Sequence, residues 1–273
     1  MSNYAEVIGD PIAHSLSPAI HHHWLAALGM AGAYHATRVE RGGLAAFLDE
    51  RRRDPSWRGC SVTLPHKEAI AVCLDSVDDA ATRVGAVNCV YRQGGELAGT
   101  NTDVDGIAYA LDGIDPAGGK VAVLGAGGAA RAMLAWLATQ QVGETVLLVR
   151  DPKRAEPLTG GPVRAATLDS ARGEFADARL IVNASPLGMA GSPAMPPHLL
   201  DALALAPAAT VMDMVYKPLD TDLLAAARAL GLKAVDGLDM LTGQARRAFT
   251  LFFGVEPPPA DAALRTKLVG GAR

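Results

Sequence analysis

A glycine-rich loop near the middle of the chain has the composition of a dinucleotide-binding turn. A short apolar strand at residues 121–124 runs into G-x-G-x-x-A at residues 125–130, and a strongly apolar helix is predicted over residues 129–138. This arrangement places a pyrophosphate on backbone N–H groups at a helix N-terminus. Glycines also serve ordinary turns, but the flanking strand and helix favour cofactor binding. The loop residues expected to contact the cofactor are Gly125, Ala126, Gly127, Gly128 and Ala129.

The end of the next predicted strand, residues 145–149, normally selects the nicotinamide cofactor. An acidic residue there binds a ribose 2′-OH, whereas an arginine accommodates a 2′-phosphate. Arg150 stands at this end and Arg154 follows one helical turn later, so both guanidinium groups can converge on a phosphate. Asp151 is the competing interpretation, as a ribose ligand for NAD, but Asp followed by Pro is also the pattern of a helix N-cap. NADP is the predicted cofactor.

Three polar runs precede the glycine loop and contain side chains that a packed core has no reason to hold. The runs are residues 10–18, residues 61–68, and residues 85–88 together with 99–103. Each residue type also has a purely structural interpretation. Lys67 is then a solvated surface lysine, Ser17 is a helix N-cap, and Asn88 and Asp103 are turn residues.

In order and spacing these motifs resemble the shikimate dehydrogenase family over nearly the whole chain. The resemblance implies an α/β fold with an N-terminal α/β substrate domain at residues 1–104 and a doubly wound, Rossmann-type NADP-binding domain at residues 105–238. A C-terminal helical segment at residues 239–273 then returns to the substrate domain. The implied reaction is the reversible NADPH-dependent reduction of 3-dehydroshikimate to shikimate, a step of aromatic amino acid biosynthesis.

The resemblance also implies roles for individual residues. Lys67 and Asp103 correspond to the catalytic pair of the family. The residues expected to bind the substrate are Ser15, Ser17, Ser61, Thr63, Asn88, Tyr216 and Gln244. Besides the glycine loop and the two arginines, the residues expected to contact the cofactor are Asn183, Met189 and Gly237.

The residue types suit this chemistry independently of the resemblance. Hydride transfer between a secondary alcohol and a nicotinamide requires a group that carries the hydroxyl proton, and an ammonium both donates that proton and stabilises the developing oxyanion. Lys67 meets this requirement. Asp103 would pair with it and accept a hydrogen bond from a substrate hydroxyl. Serine, threonine and asparagine supply the short neutral partners that a polyhydroxylated ring requires.

Two positions depart from the common family pattern. Ser61 stands where Asn is common, and Val149 stands where Asn usually precedes the arginine. An unmatched buried hydroxyl costs about 1–3 kcal/mol, enough to shift substrate discrimination roughly tenfold or more. Two alternatives therefore stay open: a quinate/shikimate dehydrogenase paralogue with relaxed or shifted ring-acid specificity, and a weakly catalytic relative that binds ring acids.

Short apolar runs alternate with helical segments along the chain, which predicts parallel strands joined by crossover helices. Ser17 and Pro18 have the pattern of an N-cap and a first helical residue. A helix is predicted over residues 65–73, which places Lys67 in its first turn, and a β-hairpin is predicted to turn at Gly94 and Gly95.

Composition excludes several classes of protein. The formal net charge of −4 and the 49% hydrophobic content are ordinary for a globular domain and indicate neither a nucleic-acid nor a membrane surface. Three cysteines match no disulfide framework or zinc pattern, and consecutive helical histidines at residues 21–23 point apart, so no metal is expected. Without a signal-peptide pattern, we expect a cytoplasmic monomer or homodimer that binds a small molecule and no nucleic acid or membrane.

Overall fold

The computed structural model describes residues 2–271 and divides into two compact units. The first unit runs to Gly106 and is completed by Thr242–Gly271, whereas the second comprises Ile107–Leu241. Each unit contains its own six-stranded sheet with helices packed on it. The α/β fold class predicted from the sequence is therefore confirmed.

Ten helices follow one another along the described chain. They are α1 (Ser17–Ala27), α2 (Leu44–Arg53), α3 (Asp79–Val84), α4 (Asp103–Ala110), α5 (Gly128–Leu137), α6 (Ala171–Phe175), α7 (Pro197–Ala202), α8 (Asp222–Ala229), α9 (Gly237–Phe253) and α10 (Ala262–Gly271). Short 3₁₀ helices lie at Ile70–Cys73, Pro152–Leu158, Leu168–Ser170 and Leu203–Leu205. No helix within residues 2–271 combines the length and the apolar character that crossing a membrane requires.

The sheet of the first unit is mixed, with strand order β2-β1-β3-β5-β6-β4. The strand bounds are β1 (Asn3–Gly9), β2 (Gly32–Arg38), β3 (Trp57–Val62), β4 (Ser76–Val77), β5 (Cys89–Gln93) and β6 (Glu96–Thr100). β1 is parallel to β2 and β3, and β5 is antiparallel to both β3 and β6. The carboxyl ends of β1, β3 and β6 and the amino end of β5 therefore share one edge of this sheet. The β5-β6 hairpin turns at Gly94 and Gly95, as predicted.

Alternation along β1 divides the core of the first unit between the two faces of the sheet. Ile8 packs on one face with Leu48 of α2 and with Trp57, whereas Val7 packs on the other face with Phe252 of α9. Successive strand residues point to opposite faces, so both sides of this sheet are covered by helices.

The sheet of the second unit is parallel throughout, with strand order β12-β11-β10-β7-β8-β9. The strand bounds are β7 (Lys120–Leu124), β8 (Glu144–Val149), β9 (Val163–Thr167), β10 (Ala178–Asn183), β11 (Thr210–Asp213) and β12 (Lys233–Val235). The first strand of the unit, β7, lies inside the sheet, and the strand order reverses beside it. This is the doubly wound arrangement, in which ligands bind beyond the carboxyl ends of the strands at the reversal.

Two local predictions are wrong. Helix α1 begins one residue early: Leu16 is its N-cap, no side chain caps it, and Oγ of Ser15 accepts from the backbone N–H of Ser17. Residues 65–69 form turns instead of the predicted helix, and only Ile70–Cys73 is helical. The carbonyl of Lys67, which a helix would use internally, accepts from the N–H of Val87 at 2.8 Å.

Candidate active site

Lys67 and Asp103 form a direct ion pair. Nζ of Lys67 donates to Oδ2 of Asp103 at 2.6 Å, although 36 residues separate the two in sequence. The two side chains are 28% and 14% exposed, so the pair is shielded but open to a ligand. Asp103 is the first residue of α4, where the positive end of the helix dipole favours a carboxylate. The structure thus brings together the one ammonium and one carboxylate singled out from the sequence.

The turn that carries Lys67 is anchored by its neighbours. The ring of the buried His66 lies 2.6 Å from the carbonyl oxygen of Val39, and Val87 donates to the carbonyl of Lys67. Val87 directly precedes Asn88, whose own carbonyl accepts from the N–H of Val62 at 2.7 Å. These bonds fasten the Lys67 turn to the residues just before β5, and those residues to the end of β3.

Asparagine side chains hold Asp103 from two directions. Nδ2 of Asn88 donates to Oδ1 of Asp103 at 2.8 Å, and Oδ1 of Asn88 accepts from the backbone N–H of Thr102 at 2.6 Å. Oδ1 of Asn101 accepts from the backbone N–H of Asp103, and its amide donates to the carbonyl of Ala86. Asn88 and Asn101 are 3% and 1% exposed, so these bonds are buried and fix the carboxylate in place.

The hydroxyl residues predicted to bind substrate lie along the same edge of the sheet. Ser15 and Ser17 follow β1, Ser61 lies near the end of β3, and Thr63 comes directly after β3. Because α1 takes no side-chain cap, the Ser17 hydroxyl is not committed to the helix. Ser61 is only 7% exposed and accepts a hydrogen bond from the phenol of Tyr34 at 2.8 Å.

Gln244 and Tyr216 belong to different units. Gln244 lies on α9 within the first unit, and its Oε1 is 3.5 Å from the hydroxyl of Thr102, at the limit of a hydrogen bond. Tyr216 belongs to the second unit, in the segment after β11. Burial raises the pKa of its phenol above the ordinary value. The first unit therefore gathers all the predicted catalytic and substrate residues except Tyr216.

The glycine loop in the second unit leads from β7 into the N-terminus of α5. Gly125 has φ +108°, and a Cβ there would lie 3.0 Å from the carbonyl oxygen of Ala184, so only glycine fits. Gly127 is the N-cap of α5 and no side chain caps that helix. A Cβ at Gly127 would meet no atom within 4 Å, and the φ of −85° suits any residue. Internal packing therefore does not require a glycine at residue 127, whereas close approach of a ligand to the backbone would require one.

Arg150 and Arg154 are exposed at the carboxyl end of β8, and neither makes an ion pair with any described residue. Asp151 lies between them, and its Oδ1 accepts from the backbone N–H of Lys153 at 3.1 Å, which caps the 3₁₀ helix at Pro152–Leu158. The N-cap interpretation of Asp151 is thus confirmed. Two free guanidinium groups flanking a committed carboxylate suit a phosphate better than a ribose hydroxyl.

Asn183 is saturated by internal bonds. Its amide donates to the carbonyl of Leu187 and to Oδ1 of Asp213, both at 2.9 Å, and its Oδ1 accepts from the N–H and the hydroxyl of Ser185. Asp213 also accepts from Thr221 at 2.7 Å, and burial raises the pKa of its carboxyl above the usual aspartate range. Asn183 and Asp213 therefore organise the loops after β10 and β11 and have little capacity left for a ligand.

The two remaining predicted cofactor residues lie on or beside these loops. Met189 is 42% exposed in the loop after β10, and the adjacent Ala190 donates to the carbonyl of Lys217 in the loop after β11. Gly237 begins α9, where a Cβ would lie 2.6 Å from the carbonyl oxygen of Met214. The backbone at the start of α9 therefore passes so close to the segment after β11 that only glycine fits at residue 237.

Several supporting residues were not predicted. Asn101 and Thr102 stand inside one of the polar runs, and only their position between Asn88 and Asp103 hinted at a role. Tyr34 and Asp213 carried no sequence signal for these roles, because their partners lie on strands distant in sequence. The first unit thus offers an ammonium and a carboxylate in contact, with several hydroxyl and amide groups along the same sheet edge. The second unit offers a glycine loop that leads into a helix with no side-chain cap.

Comparisons with known proteins agree with this chemistry. The profile described as the shikimate dehydrogenase substrate binding domain matches residues 7–90, and that of the shikimate 5'-dehydrogenase C-terminal domain matches residues 237–265. Shikimate dehydrogenase (NADP(+)) of Sphingopyxis alaskensis is 50% identical, with 98% of this chain and 97% of that protein covered.

Two solved structures show how widely the fold is shared. Shikimate 5-dehydrogenase from Thermus thermophilus, in complex with NADP(H) and shikimate, is 39% identical with a TM-score of 0.85 and covers 100% of both chains. Ligand-free 5-ketofructose reductase of Gluconobacter sp. strain CHM43 is 28% identical with a TM-score of 0.87 and covers 100% of this chain and 99% of that one. With half of its residues identical to a curated relative over nearly its whole length, the chain belongs to the shikimate dehydrogenase family.

Proposed function

We propose that this protein is an NADP-dependent shikimate dehydrogenase that reversibly reduces 3-dehydroshikimate to shikimate. The observation that carries the proposal is the 2.6 Å contact between Lys67 and Asp103, partly exposed at a sheet edge rich in hydroxyl and amide side chains. The 50% identity to a curated NADP-dependent relative supports the same reaction.

In the proposed mechanism Lys67 is the proton carrier. NADPH, when bound, supplies the hydride. Nζ of Lys67 gives its proton to the ketone oxygen as that oxygen becomes an alkoxide, and in the reverse direction takes the hydroxyl proton. The ammonium also stabilises the negative charge that develops on this oxygen. Asp103 keeps Nζ in place and accepts a hydrogen bond from a neighbouring substrate hydroxyl.

Substrate recognition is assigned to the polar groups around this pair. We assign the carboxylate of the ring acid to the hydroxyls of Ser15 and Ser17, and the ring oxygens to Ser61, Thr63, Asn88 and Gln244. Tyr216 is proposed as a further substrate residue. Asn88 can serve only as a donor, because its Oδ1 already accepts from the N–H and the hydroxyl of Thr102.

For the cofactor we assign the pyrophosphate to the loop of Gly125, Gly127 and Gly128 and the 2′-phosphate to Arg150 and Arg154. The exposed, unpaired guanidinium groups and the uncapped start of α5 support this assignment. Asn183 is assigned an indirect part, since its bonds shape the loop that holds Met189. Gly237 is assigned to backbone packing beside the same region.

The segments at residues 1–104, 105–238 and 239–273 are proposed as substrate domain, cofactor domain and returning helical segment. Compact units that divide after Gly106 and after Leu241 support this division. We also propose a cytoplasmic location, which the free thiols of Cys60, Cys73 and Cys89 support. A monomer or a homodimer is proposed, and sedimentation of the purified protein distinguishes them.

A second candidate function is a quinate/shikimate dehydrogenase with relaxed specificity. It is favoured by Ser61, because a short serine hydroxyl stands where the family pattern commonly has Asn, at a position predicted to face the substrate ring. A weakly catalytic ring-acid binder is the third alternative, and the intact contact between Lys67 and Asp103 argues against it.

One assay separates these functions. Purified protein receives shikimate or quinate, each with NADP or NAD, and cofactor reduction is followed by absorbance. Shikimate with NADP giving the highest kcat/KM supports the proposal, whereas quinate with NAD giving the highest supports the paralogue. Ring-acid binding in a calorimeter beside a silent absorbance assay supports the third alternative and contradicts the proposed enzyme.

A further inference from the structure

Tyr34 reaches across the first sheet to a residue of the proposed substrate site. It lies on β2, is 1% exposed, and its hydroxyl donates to Oγ of Ser61 on β3 at 2.8 Å. Strand β1 runs between the two, and the residue of β1 in register with Tyr34 is Ala5. Because Ala5 is small, the phenol ring extends over β1 and places its hydroxyl beside Ser61.

The ring of Tyr34 is held rigidly. His21 of α1 stacks on it with ring centroids 3.8 Å apart and an interplanar angle of 5°, and Phe252 of α9 lies 6.2 Å away. His21 is fully buried, and neither of its ring nitrogens has a hydrogen-bond partner among residues 2–271. It therefore acts as a flat aromatic surface, and the phenol oxygen has little freedom to leave Ser61.

The buried bond has one favourable direction. A buried phenol proton requires an acceptor, and Oγ of Ser61 is the acceptor that the structure gives Tyr34. If Ser61 donated to Tyr34 instead, the phenol proton would be buried without a partner, at a cost of about 1–3 kcal/mol. Tyr34 therefore donates, and the proton of Ser61 must point elsewhere.

The same face of the sheet carries further groups of the proposed site. Tyr34 packs with Ala248 and Phe252 on one face of α9, and Gln244 lies one helical turn before Ala248 on that face. Thr63 follows Ser61 by two residues, the spacing that returns a side chain to the same side of a strand. The side chain of Ser61 thus lies on the face of the sheet where substrate is proposed to bind.

We infer that Tyr34 is a specificity-determining positioning residue, which by donating to Ser61 fixes the serine hydroxyl as a hydrogen-bond donor toward a substrate oxygen. The inference rests on the proposed function and deepens it. An unconstrained serine both donates and accepts, and so tolerates several ligands. With Tyr34 in place, Ser61 selects ring acids that present an acceptor at this point.

A double-mutant cycle tests the inference. We compare wild type, Tyr34→Phe, Ser61→Ala and the double variant, measuring kcat and KM for shikimate with saturating NADP. Loss of one neutral hydrogen bond predicts a rise in KM of about 2–10-fold for Tyr34→Phe, with kcat nearly unchanged. In the Ser61→Ala background the same change should have no further effect on KM. The kcat/KM ratio of shikimate to quinate should also fall in Tyr34→Phe.

Tyr4→Phe is the matched control. Tyr4 lies in the same unit and donates to Oδ2 of Asp54 at 2.7 Å, away from Ser61, so its loss should leave KM for shikimate unchanged. An unchanged KM in Tyr34→Phe, or an equal fold-change of KM in the presence and absence of the Ser61 hydroxyl, overturns the inference.

If Tyr34→Phe does not fold, Ser61→Cys takes its place. A thiol is larger than a hydroxyl and a weak donor, so KM should rise at least as much as it does in Ser61→Ala. A KM equal to that of wild type would mean that the substrate needs no donor at residue 61 and would overturn the inference. If the wild-type protein is inactive with shikimate and NADP, the proposed function itself is overturned. If the wild type is active and Tyr34→Phe leaves KM unchanged, only this inference is overturned.

Discussion

The side chain of Asn88 bonds both the carboxylate of Asp103 and the backbone that carries it. Its amide donates to Oδ1 of Asp103 at 2.8 Å, while its carbonyl oxygen accepts from the N–H of Thr102 at 2.6 Å. One buried amide thus fixes both the turn before α4 and the carboxylate at its first residue. With Lys67 on Oδ2, both oxygens of Asp103 have a defined partner.

Replacing Asn88 by Ala should release Asp103 from this arrangement. Because a hydrogen bond to a charged group is worth about 1.5–3 kcal/mol, we expect kcat/KM for shikimate to fall roughly 10-fold to 100-fold. Asn3→Ala is the control, since Asn3 is exposed at the start of β1 and its side chain accepts from Arg58, outside the site. Steady-state kinetics of both variants check the expectation, and Asn88→Ala with wild-type kcat/KM would contradict it.

Replacing Arg150 or Arg154 by Ala should weaken NADP binding and leave NAD binding nearly unchanged. Losing a charge-assisted bond to the 2′-phosphate predicts a rise of about 10-fold or more in the Kd for NADP. Titration calorimetry with each cofactor measures the difference. Arg172→Ala, an exposed arginine of the same unit on α6, is the control. Equal losses for NADP and NAD would count against the 2′-phosphate assignment.

Asp213→Ala should loosen the loops after β10 and β11. It leaves the amide of Asn183, the N–H of Val215 and the hydroxyl of Thr221 without their acceptor. We expect a loss of about 2–4 kcal/mol in unfolding free energy and faster hydrogen exchange at residues 184–190. Asp213→Asn keeps one oxygen acceptor and should lose less.

The exposed Asp201 supplies the matched control, because Asp201→Ala removes a carboxylate from the same unit without touching these bonds. Denaturant unfolding of the three variants gives the order of stability. If Asp213→Ala proves as stable as Asp201→Ala, the two loops do not depend on the buried carboxylate.

His21 should make the protein sensitive to acid. Burial lowers the pKa of this histidine from 6.5 to about 3, so it stays neutral in the folded state while the unfolded chain binds a proton below pH 6.5. The contribution of His21 to the free energy of unfolding is therefore fully present above pH 6.5 and is lost as the pH falls toward 3. The linkage amounts to about 2 kcal/mol between about pH 7 and about pH 5.

His21→Phe should abolish that part of the pH dependence, because phenylalanine keeps the aromatic stack on Tyr34 and binds no proton. Denaturant unfolding at both pH values measures the difference. His198→Gln removes a half-exposed histidine and should keep the wild-type slope. A slope that survives in His21→Phe would show that other groups cause the acid sensitivity.

Local patterns were enough to predict the strands and turns whose signals lie in adjacent residues. Strand β8 at Glu144–Val149, predicted over residues 145–149, follows from an apolar run, and the hairpin follows from the two adjacent glycines Gly94 and Gly95. A helical segment was predicted at residues 239–273, but α10 was not predicted as a separate helix, because it buries only Leu264 and Leu268 and ends in glycines, which are poor helix formers. The predicted helix over residues 65–73 was wrong because a distant N–H, that of Val87, takes the carbonyl of Lys67.

The candidate site likewise contains contacts that the sequence predicted and contacts that it did not. Motif order alone placed Lys67 and Asp103 in one hypothesis, and the structure joins them by a hydrogen bond. The bond between Tyr34 and Ser61 was not predictable, because it depends on the order of three strands and on the small side chain between them. The saturation of Asn183 likewise depends on Asp213, which follows it by 30 residues.

The proposed reaction depends most on Lys67 as the proton carrier. The decisive measurement is kcat for shikimate oxidation with saturating NADP in Lys67→Ala, beside Lys267→Ala, which removes an exposed lysine from α10. General acid-base catalysis predicts a fall of about 10²-fold to 10⁴-fold in Lys67→Ala and none in the control. A Lys67→Ala enzyme that keeps its turnover within about twofold would contradict that role.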